Sequence, residues 1–85
     1  MKYKVGDKVR IKSLDWYNKN KDEDGRVACG YHTFTEEMSK FCGHTMIVCK
    51  RTNLGVMTMG GNAYYWTNEM IEGLADEIVQ DTKTF

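Results

Sequence analysis

Val9 and Ile11 alternate with the basic residues Lys8, Arg10 and Lys12 near the start of the chain. Because successive side chains of a strand point to opposite faces of a sheet, this period of two predicts a strand with one buried face. We expect the two aliphatic side chains in the core and the three cations on the solvent side.

The second half of the chain predicts the centre of the fold. Val, Ile, Thr and Met are concentrated at residues 44–51 and 56–59, a composition typical of half-buried strands. Between these strands, Asn53 and Gly55 tolerate the positive φ that a short hairpin turn needs. A second turn is predicted at residues 60–62 and the start of a third strand at residues 64–66.

Residues 34–42 predict one short helix before this strand pair. Thr33 or Thr35 is suited to cap its first turn, since a threonine hydroxyl accepts a hydrogen bond from a free backbone N–H. Gly43 is placed to end the helix in the left-handed conformation. The apolar side chains at helical spacing are Phe34, Met38, Phe41 and Cys42.

Five short strands joined by tight turns predict a mainly β protein, a small and partly open β-barrel. Residues 1–74 are predicted to form its one domain, with a helical turn near residues 67–70. Residues 75–85 are predicted to be a C-terminal tail with a short, fraying helix, and residues 13–25 a long polar loop. The side chains predicted to be buried are Val9, Ile11, Met38, Phe41, Ile47, Cys49, Trp66 and Met70.

Residues 5–11, with the sequence VGDKVRI, resemble the first strand of many SH3-like barrels. An F-x-x-x-M motif at residues 34–38, followed by Gly43 and by WTNEM at residues 66–70, resembles a recurring group of small bacterial and phage proteins with that fold. These are packing motifs, so the resemblance implies a five-stranded SH3-like barrel of bacterial or mobile-element context and no particular activity. The chain departs from the pattern in its polar residues 18–25.

Charge is balanced over the whole chain but unevenly placed along it. Residues 1–21 carry seven Lys or Arg residues against two acidic ones, and residues 22–85 carry five against ten. In a small barrel the two halves meet in space, so we expect much of this asymmetry to cancel on folding. No apolar run reaches the roughly 18 residues of a membrane span and no signal peptide is recognised, which predicts a cytoplasmic protein.

The three cysteines are predicted to be reduced and partly buried thiols. Cys29 and His32, together with Cys42 and His44, supply the ligand types of structural zinc, but their spacing is not that of paired zinc-binding turns. Residues 20–25 match the first half of a calcium-binding EF-hand loop, and the glutamate that should close the loop is missing. We therefore expect no metal and no other cofactor.

No nucleophile motif, phosphate-binding loop or acid–base pair of carboxylates stands out, so the chain is expected to be a non-enzymatic interaction module. Its predicted partner is an unidentified protein or peptide, and the chain itself is expected to be a monomer or a weak homodimer. Exposed aromatic rings would provide the contact, because they bring much contact area at a small entropic cost. The candidate binding residues are Trp16, Tyr17, Tyr64 and Tyr65, with Tyr17 and Tyr65 facing outward.

Two alternatives remain open. The same rings would only cover residues 13–25 if the loop folds back over one end of the barrel. Small barrels also bind nucleic acid through aromatic platforms beside basic residues, although the sequence pI near 6.7 argues against a large basic surface. The residues of this alternative nucleic-acid face are Lys8, Arg10, Lys12, Lys50 and Arg51.

Overall fold

The computed structural model describes residues 2–60 and 64–78 and shows a mainly β fold. The strands are β1 (Lys8–Ile11), β2 (Val27–Cys29), β3 (His32–Phe34), β4 (Thr45–Arg51), β5 (Val56–Thr58) and β6 (Ile71–Leu74). The helices are α1 (Leu14–Asn20), α2 (Ala75–Ile78) and two 3₁₀ helices, Glu37–Phe41 and Asn68–Met70. Antiparallel strands form one sheet in the order β5-β4-β1-β6, and β2 pairs with β3 in a second sheet.

β1 is a central strand of the larger sheet and shows the predicted alternation. Val9 and Ile11 are fully buried, whereas Lys8 is exposed and Arg10 is half-buried. β1 pairs with β4 on one side and with β6 on the other. Its pairing with β6 shifts register between Arg10 and Ile11, as a β-bulge does. The first predicted strand and its buried face are therefore confirmed.

The mainly β prediction is confirmed, but the described residues do not form a closed barrel. The third strand predicted at residues 64–66 is reduced to one antiparallel bridge between Val56 and Trp66. Their backbone groups exchange hydrogen bonds of 3.0 and 2.8 Å, and Tyr64 and Tyr65 lie outside any strand. The SH3-like topology stays a prediction.

Residues 13–25 contain the helix α1, so the prediction of a continuous polar loop is wrong. Ser13 is the N-cap, and its hydroxyl accepts a hydrogen bond of 3.0 Å from the backbone N–H of Trp16. Asp15 lies in the first turn, where the helix dipole favours a negative charge. Tyr17 is the only buried residue of this helix, so the sequence has no hydrophobic periodicity that would predict α1.

The helix predicted at residues 34–42 is shorter than expected. Phe34 belongs to β3, where its ring is fully buried, and the helical part is the 3₁₀ helix Glu37–Phe41. Met38 of that helix is buried, as predicted, and Phe41 is half-buried against the core. The apolar spacing that suggests one helix thus arises because Phe34, a strand residue, is followed closely by the 3₁₀ helix.

The two ends of this 3₁₀ helix test the predicted caps. The hydroxyl of Thr35 accepts a hydrogen bond of 3.4 Å from the backbone N–H of Met38, whereas Thr33 lies exposed in β3 and caps nothing. Gly43 has a φ of +79° just after the helix, which confirms its predicted left-handed conformation. A residue with a Cβ is strained in this region, so the glycine is well suited to the turn into β4.

β4 buries the opposite face from the one predicted. Met46 and Val48 point into the core, while Ile47 is 40% exposed and Cys49 is also exposed. Both faces of this strand are apolar, so alternation did not show which one is buried. Together with the half-buried Phe41, these are the errors in the predicted core. The members that are buried as predicted are Val9, Ile11, Met38, Trp66 and Met70.

The C-terminal part follows the sequence prediction as far as the structure describes it. The sequence predicts residues 72–74 as the last paired segment of the sheet, and β6 confirms this because it pairs with β1. α2 follows directly, and its first residue, Ala75, is buried. The rest of the predicted tail, residues 79–85, lies outside the described residues, as do residues 61–62 of the second predicted turn.

Candidate functional site

Tyr17, a predicted binding residue, is a core residue. Its side chain is only 4% exposed, its ring lies 5.7 Å from that of Phe34, and its hydroxyl donates a hydrogen bond of 2.8 Å to the Gly25 carbonyl. Burial, followed by the nearby charge of Glu36, raises the pKa of this hydroxyl. The expectation that Tyr17 faces outward is therefore wrong. Its neighbour Trp16 is half-buried and meets Phe34 edge to face at 5.2 Å.

Tyr64 packs on the rings of Phe41 and Trp66, whereas Trp16 and Tyr17 pack on Phe34. Its ring makes edge-to-face contacts with Phe41 at 6.2 Å and with Trp66 at 6.0 Å. Its hydroxyl donates a hydrogen bond of 3.1 Å to the Oε1 atom of Glu37. Burial and this hydrogen bond raise the pKa of Tyr64. Tyr64 is half-buried, so part of its surface is open to a partner.

Tyr65 lies on the opposite face of this segment, as the alternation of residues 64–66 predicts. Its ring stacks on that of His32 in β3, with centroids 5.5 Å apart and an interplanar angle of 23°. Trp16 and Tyr17 meet at Phe34, while Tyr65 is in ring contact with His32. The predicted binding residues therefore do not form one continuous aromatic surface.

The candidate zinc ligands are only partly brought together. Cys29 and His32 are direct partners across the β2–β3 hairpin, and the thiol of Cys29 is buried. Cys42 and His44 lie on either side of Gly43, outside that hairpin. Within residues 2–60 and 64–78, no group of three or more His, Cys, Asp or Glu side chains could hold a metal ion. The cysteines are free thiols, and burial raises the pKa of Cys29 and of Cys42.

The acidic turn that resembles half of a calcium loop is organised by one carboxylate. Oδ1 of Asp22 accepts backbone N–H hydrogen bonds from Asp24 at 2.9 Å and from Arg26 at 3.0 Å. These hydrogen bonds, that from Arg26 foremost, lower the pKa of Asp22. The carboxylate thus stabilises the turn that leads into β2.

The candidate nucleic-acid residues are distributed over more than one surface. Lys8 and Arg10 share the outer face of the larger sheet, opposite Ile47 and Thr45 of β4. Lys50 pairs with Met57 beyond a register shift in β4. The other two residues differ in placement. Arg51 is exposed and pairs with Val56, whose side chain is buried. Lys12 is half-buried, and its charge acts on the buried thiol of Cys29.

A cleft of about 200 Å³ opens between the tips of two hairpins. Tyr31, at the tip of the β2–β3 hairpin, is 80% exposed, and Leu54, at the tip of the β4–β5 hairpin, is 44% exposed. The start of the second 3₁₀ helix completes the walls. We call this site the hairpin cleft, and its lining residues are Gly30, Tyr31, Asn53, Leu54, Thr67, Asn68 and Glu69.

Local sequence shapes both hairpin tips. Gly30 adopts a φ of +70° beside Tyr31, which allows a tight turn between β2 and β3. In the other hairpin, the hydroxyl of Thr52 accepts hydrogen bonds of 3.1 Å from the backbone N–H groups of Leu54 and Gly55. The sequence correctly predicts this turn, but Gly55 is not among the positive-φ glycines. It is needed because a Cβ there would lie 3.1 Å from the carbonyl oxygen of Trp66.

The hairpin cleft is acidic. Both carboxylate oxygens of Glu69 lie close to the Gly30 backbone, 3.6 Å from where a Cβ on that glycine would be. The charge of Glu69 also reaches the Cys29 thiol, where it adds to the effect of burial and raises the pKa. None of the described lining residues is a lysine, an arginine or a histidine. The cleft therefore offers a negative charge, two amide side chains and two exposed apolar side chains.

Sequence reasoning missed Leu54 as a candidate site residue, and Tyr31, although it belongs to the aromatic set that suggests a binding surface, is not among the four selected residues. The available signal was a large apolar side chain next to a turn-forming residue, Gly30 in one hairpin and Asn53 in the other. A side chain at a hairpin tip has no strand neighbour to cover it, so it stays exposed. That the two tips face one cleft depends on the packing of two hairpins far apart in the chain.

No protein-family model, no curated protein and no solved structure matches this chain.

Proposed function

We propose that this protein is a non-enzymatic interaction module that binds a peptide segment of another protein in the hairpin cleft. The observation that supports this most directly is the exposure of Tyr31 and Leu54 on two hairpin tips around one concave site. Exposed tyrosine is favoured at protein interfaces because its rigid ring contributes a large contact area. Water that covers these two side chains would be released when a partner binds.

The size of the cleft favours a peptide over a small-molecule cofactor. Its volume is about 200 Å³, whereas small-molecule pockets usually span about 300–1,000 Å³. A site of this size takes one anchoring side chain, while the rest of the peptide lies across the hairpin tips. The amide groups of Asn53 and Asn68 can hydrogen-bond the backbone of such a peptide, because each amide has both donors and acceptors.

Of the four aromatic residues predicted to bind, Tyr65 is best placed to support this cleft. It stacks on His32, the chain neighbour of Tyr31. Its Cβ atom also lies 3.5 Å from where a Cβ on Gly55 would be, beside the other hairpin tip. Trp16, Tyr17 and Tyr64 act in this proposal as parts of the aromatic core.

Nucleic-acid binding is the second candidate function, and the placement of Lys8 and Arg10 on one outer sheet face favours it. Phosphate contacts release counterions, so affinity for an oligonucleotide would fall steeply with salt. Binding of a peptide between Tyr31 and Leu54 would depend on salt much less. Titrations of a dT oligonucleotide and of a selected peptide at two salt concentrations distinguish the two functions.

The direct test is selection of peptides from a random phage-displayed library on the immobilised protein. We expect selected peptides to bind the double variant Tyr31→Ser, Leu54→Ser at least about tenfold more weakly, since aromatic anchors typically contribute about 2 kcal/mol. Ile47→Ser is the matched control, because Ile47 is about as exposed as Leu54 but lies on the sheet face. Peptides that bind both variants as tightly as the parent protein would contradict the proposed site.

A further inference from the structure

We infer that the hairpin cleft selects a cationic group, the ammonium of a lysine side chain, and that Glu69 is the residue that determines this specificity. The inference rests on the proposed peptide-binding function and adds the chemical class of the anchoring residue. Three features of the cleft support it: an unpaired carboxylate, a buried hydroxyl without a partner and an exposed aromatic ring.

The carboxylate of Glu69 has no cationic partner in the part of the chain that the structure describes. The ion pair among the described residues joins Lys4 and Asp7 at 3.9 Å, and neither residue lines the cleft. No side-chain hydrogen bond engages Glu69 either among these residues. Glu69 is exposed, and its carboxylate lies beside Gly30 at the wall of the cleft. A carboxylate in a concave, partly apolar site attracts a cation more strongly than one on an open surface.

The hydroxyl of Thr67 is a second, independent feature of the same cleft. Thr67 lines the cleft and is only 4% exposed, yet its Oγ1 atom has no hydrogen-bond partner among the described residues. Thr67 stands at the N-cap position of the second 3₁₀ helix, and its side chain faces the backbone N–H of Met70 as in a capping box. That N–H donates to the Thr67 carbonyl at 3.0 Å, so the hydroxyl is left without a hydrogen bond of good geometry. A buried hydroxyl without a partner is unfavourable, so a ligand that donates a hydrogen bond to it gains affinity.

The exposed side chains suit the rest of a lysine. The aliphatic stem of lysine packs on apolar surface while its charged end stays hydrated or paired. Tyr31 and Leu54 provide that surface at the entrance, and a tyrosine ring also attracts a nearby cation through its π electrons. The ammonium has three donors and no acceptor. The carboxylate of Glu69, the Thr67 hydroxyl and the amide oxygens of the cleft are all acceptors.

Other ligand classes fit this lining less well. An anionic group would be repelled by Glu69, and none of the lining residues that the structure describes is basic enough to offset that repulsion. Calcium takes six to eight oxygen ligands and usually several carboxylates, whereas Glu69 is the only carboxylate among the described lining residues. A single positive charge on a side chain matches a single carboxylate.

The test uses four short peptides that differ in one charge, titrated into ¹⁵N-labelled protein and followed by NMR. They are acetyl-Ala-Lys-Ala-amide, its neutral analogue with norleucine, its acidic analogue with glutamate, and the norleucine peptide with a free N-terminus. We expect the lysine peptide to shift the amide signals of Tyr31, Leu54 and Glu69. Its affinity should exceed that of acetylated norleucine by about tenfold, the usual effect of a hydrogen bond to a charged group.

The variant Glu69→Gln should remove the preference for lysine over norleucine, while Glu72→Gln, an exposed acidic residue outside the cleft, should retain it. Equal affinity of the lysine and acetylated norleucine peptides for the unmodified protein would overturn the inference and leave peptide binding intact. A preference for the free N-terminus over lysine would assign the ammonium to a chain end and overturn the lysine assignment. If no peptide shifts any cleft signal, the proposed function fails as well.

Discussion

Tyr17 shows how one side chain holds a short helix to a small β fold. α1 has seven residues, too few for an isolated helix to be stable in water. The ring of Tyr17 packs against Phe34, and its hydroxyl reaches the Gly25 carbonyl in the turn after the helix. One residue therefore connects α1, β3 and the turn that leads into β2.

We expect Tyr17→Phe to lower the free energy of unfolding by about 1 kcal/mol, because it removes one hydrogen bond and keeps the ring. Tyr17→Ala should cost about 3–5 kcal/mol, since it leaves a cavity beside Phe34. Urea denaturation followed by circular dichroism measures both values. Tyr31→Phe is the control, because its hydroxyl belongs to an exposed side chain. A loss as large in Tyr31→Phe as in Tyr17→Phe would contradict the assigned role.

The raised pKa of Tyr17 also predicts how stability depends on pH. The folded state favours the neutral phenol, so the stabilisation is fully present below the ordinary tyrosine pKa of about 10. It is lost as the pH rises through the higher pKa of the folded state. We expect the unfolding free energy to fall above a pH of about 10 and to fall less steeply in Tyr17→Phe. Part of the fall should persist, because the pKa of Tyr64 is raised in the same direction.

Among the strands, β4 shows which face is buried when both faces carry apolar side chains. Val48 is buried and its register partner Thr58 is buried opposite it, whereas Ile47 pairs with the exposed Lys8. Substitution by threonine keeps a β-branched side chain and adds a hydroxyl at either position. The two substitutions thus differ mainly in where the hydroxyl is placed.

We expect Val48→Thr to lower the free energy of unfolding by about 1–3 kcal/mol, the cost of burying a hydroxyl without a partner. Ile47→Thr should cost less than about 1 kcal/mol, because its side chain is substantially exposed. Thermal and urea unfolding of both variants measure the two losses in the free energy of unfolding. A larger loss for Ile47→Thr would restore the sequence prediction that Ile47 is a core residue.

The β4–β5 hairpin depends on a glycine for space and not for its φ. A Cβ on Gly55 would lie 3.1 Å from the Trp66 carbonyl oxygen and 3.4 Å from its carbon, and neither atom can move without shifting the backbone. Gly43 is the converse case, with a φ of +79° and no described atom within 4 Å of where its Cβ would be. The same residue type therefore serves two different physical requirements.

We expect Gly55→Ala to destabilise the protein by about 1–3 kcal/mol through overpacking. Asparagine tolerates the left-handed region better than alanine, so Gly43→Asn should be less costly than Gly43→Ala. At Gly55 asparagine should bring no such relief, because the obstacle is the Trp66 backbone. Unfolding free energies of the four variants give the comparison, and relief by asparagine at Gly55 would show that its φ is the constraint.

At the scale of the whole molecule, Phe34 joins the two sheets and the first helix. Its ring lies 5.2 Å from that of Trp16 in α1 and 6.0 Å from that of Trp66, which is bridged to β5. Because Phe34 itself belongs to β3, these contacts join the smaller sheet to α1 and, through Trp66, to the larger sheet. The small domain should therefore unfold as one cooperative unit.

We expect Phe34→Ala to cost about 3–5 kcal/mol, a large share of the roughly 5–15 kcal/mol of a typical domain. Native-state hydrogen exchange on the milder variant Phe34→Leu keeps the test in the folded state. Amides of β1, β3 and β4 should lose protection together. If only β2 and β3 lose protection, the smaller sheet is an independent unit and Phe34 does not couple the two.

Local sequence patterns predict the structure correctly wherever the pattern has one physical solution. The alternation around Val9 and Ile11 predicted β1 and its buried face, and Gly43 predicted the left-handed end of a helix. The turn of the β4–β5 hairpin was also recognisable, since Asn53 and Gly55 are turn formers. In each case a single residue or a period of two decides the outcome without reference to distant parts of the chain.

Where two local arrangements have similar energies, packing between distant parts of the chain selects one of them. β4 is apolar on both faces, and its pairing with β1 brings Met46 beside Val9 and leaves Ile47 outside. α1 forms in a polar stretch because Phe34, from a distant strand, receives the ring of Tyr17. The hairpin cleft likewise arises from two tips that are far apart in the chain. Burial is the largest favourable term in folding and depends on which surfaces meet, so no local pattern could specify these features.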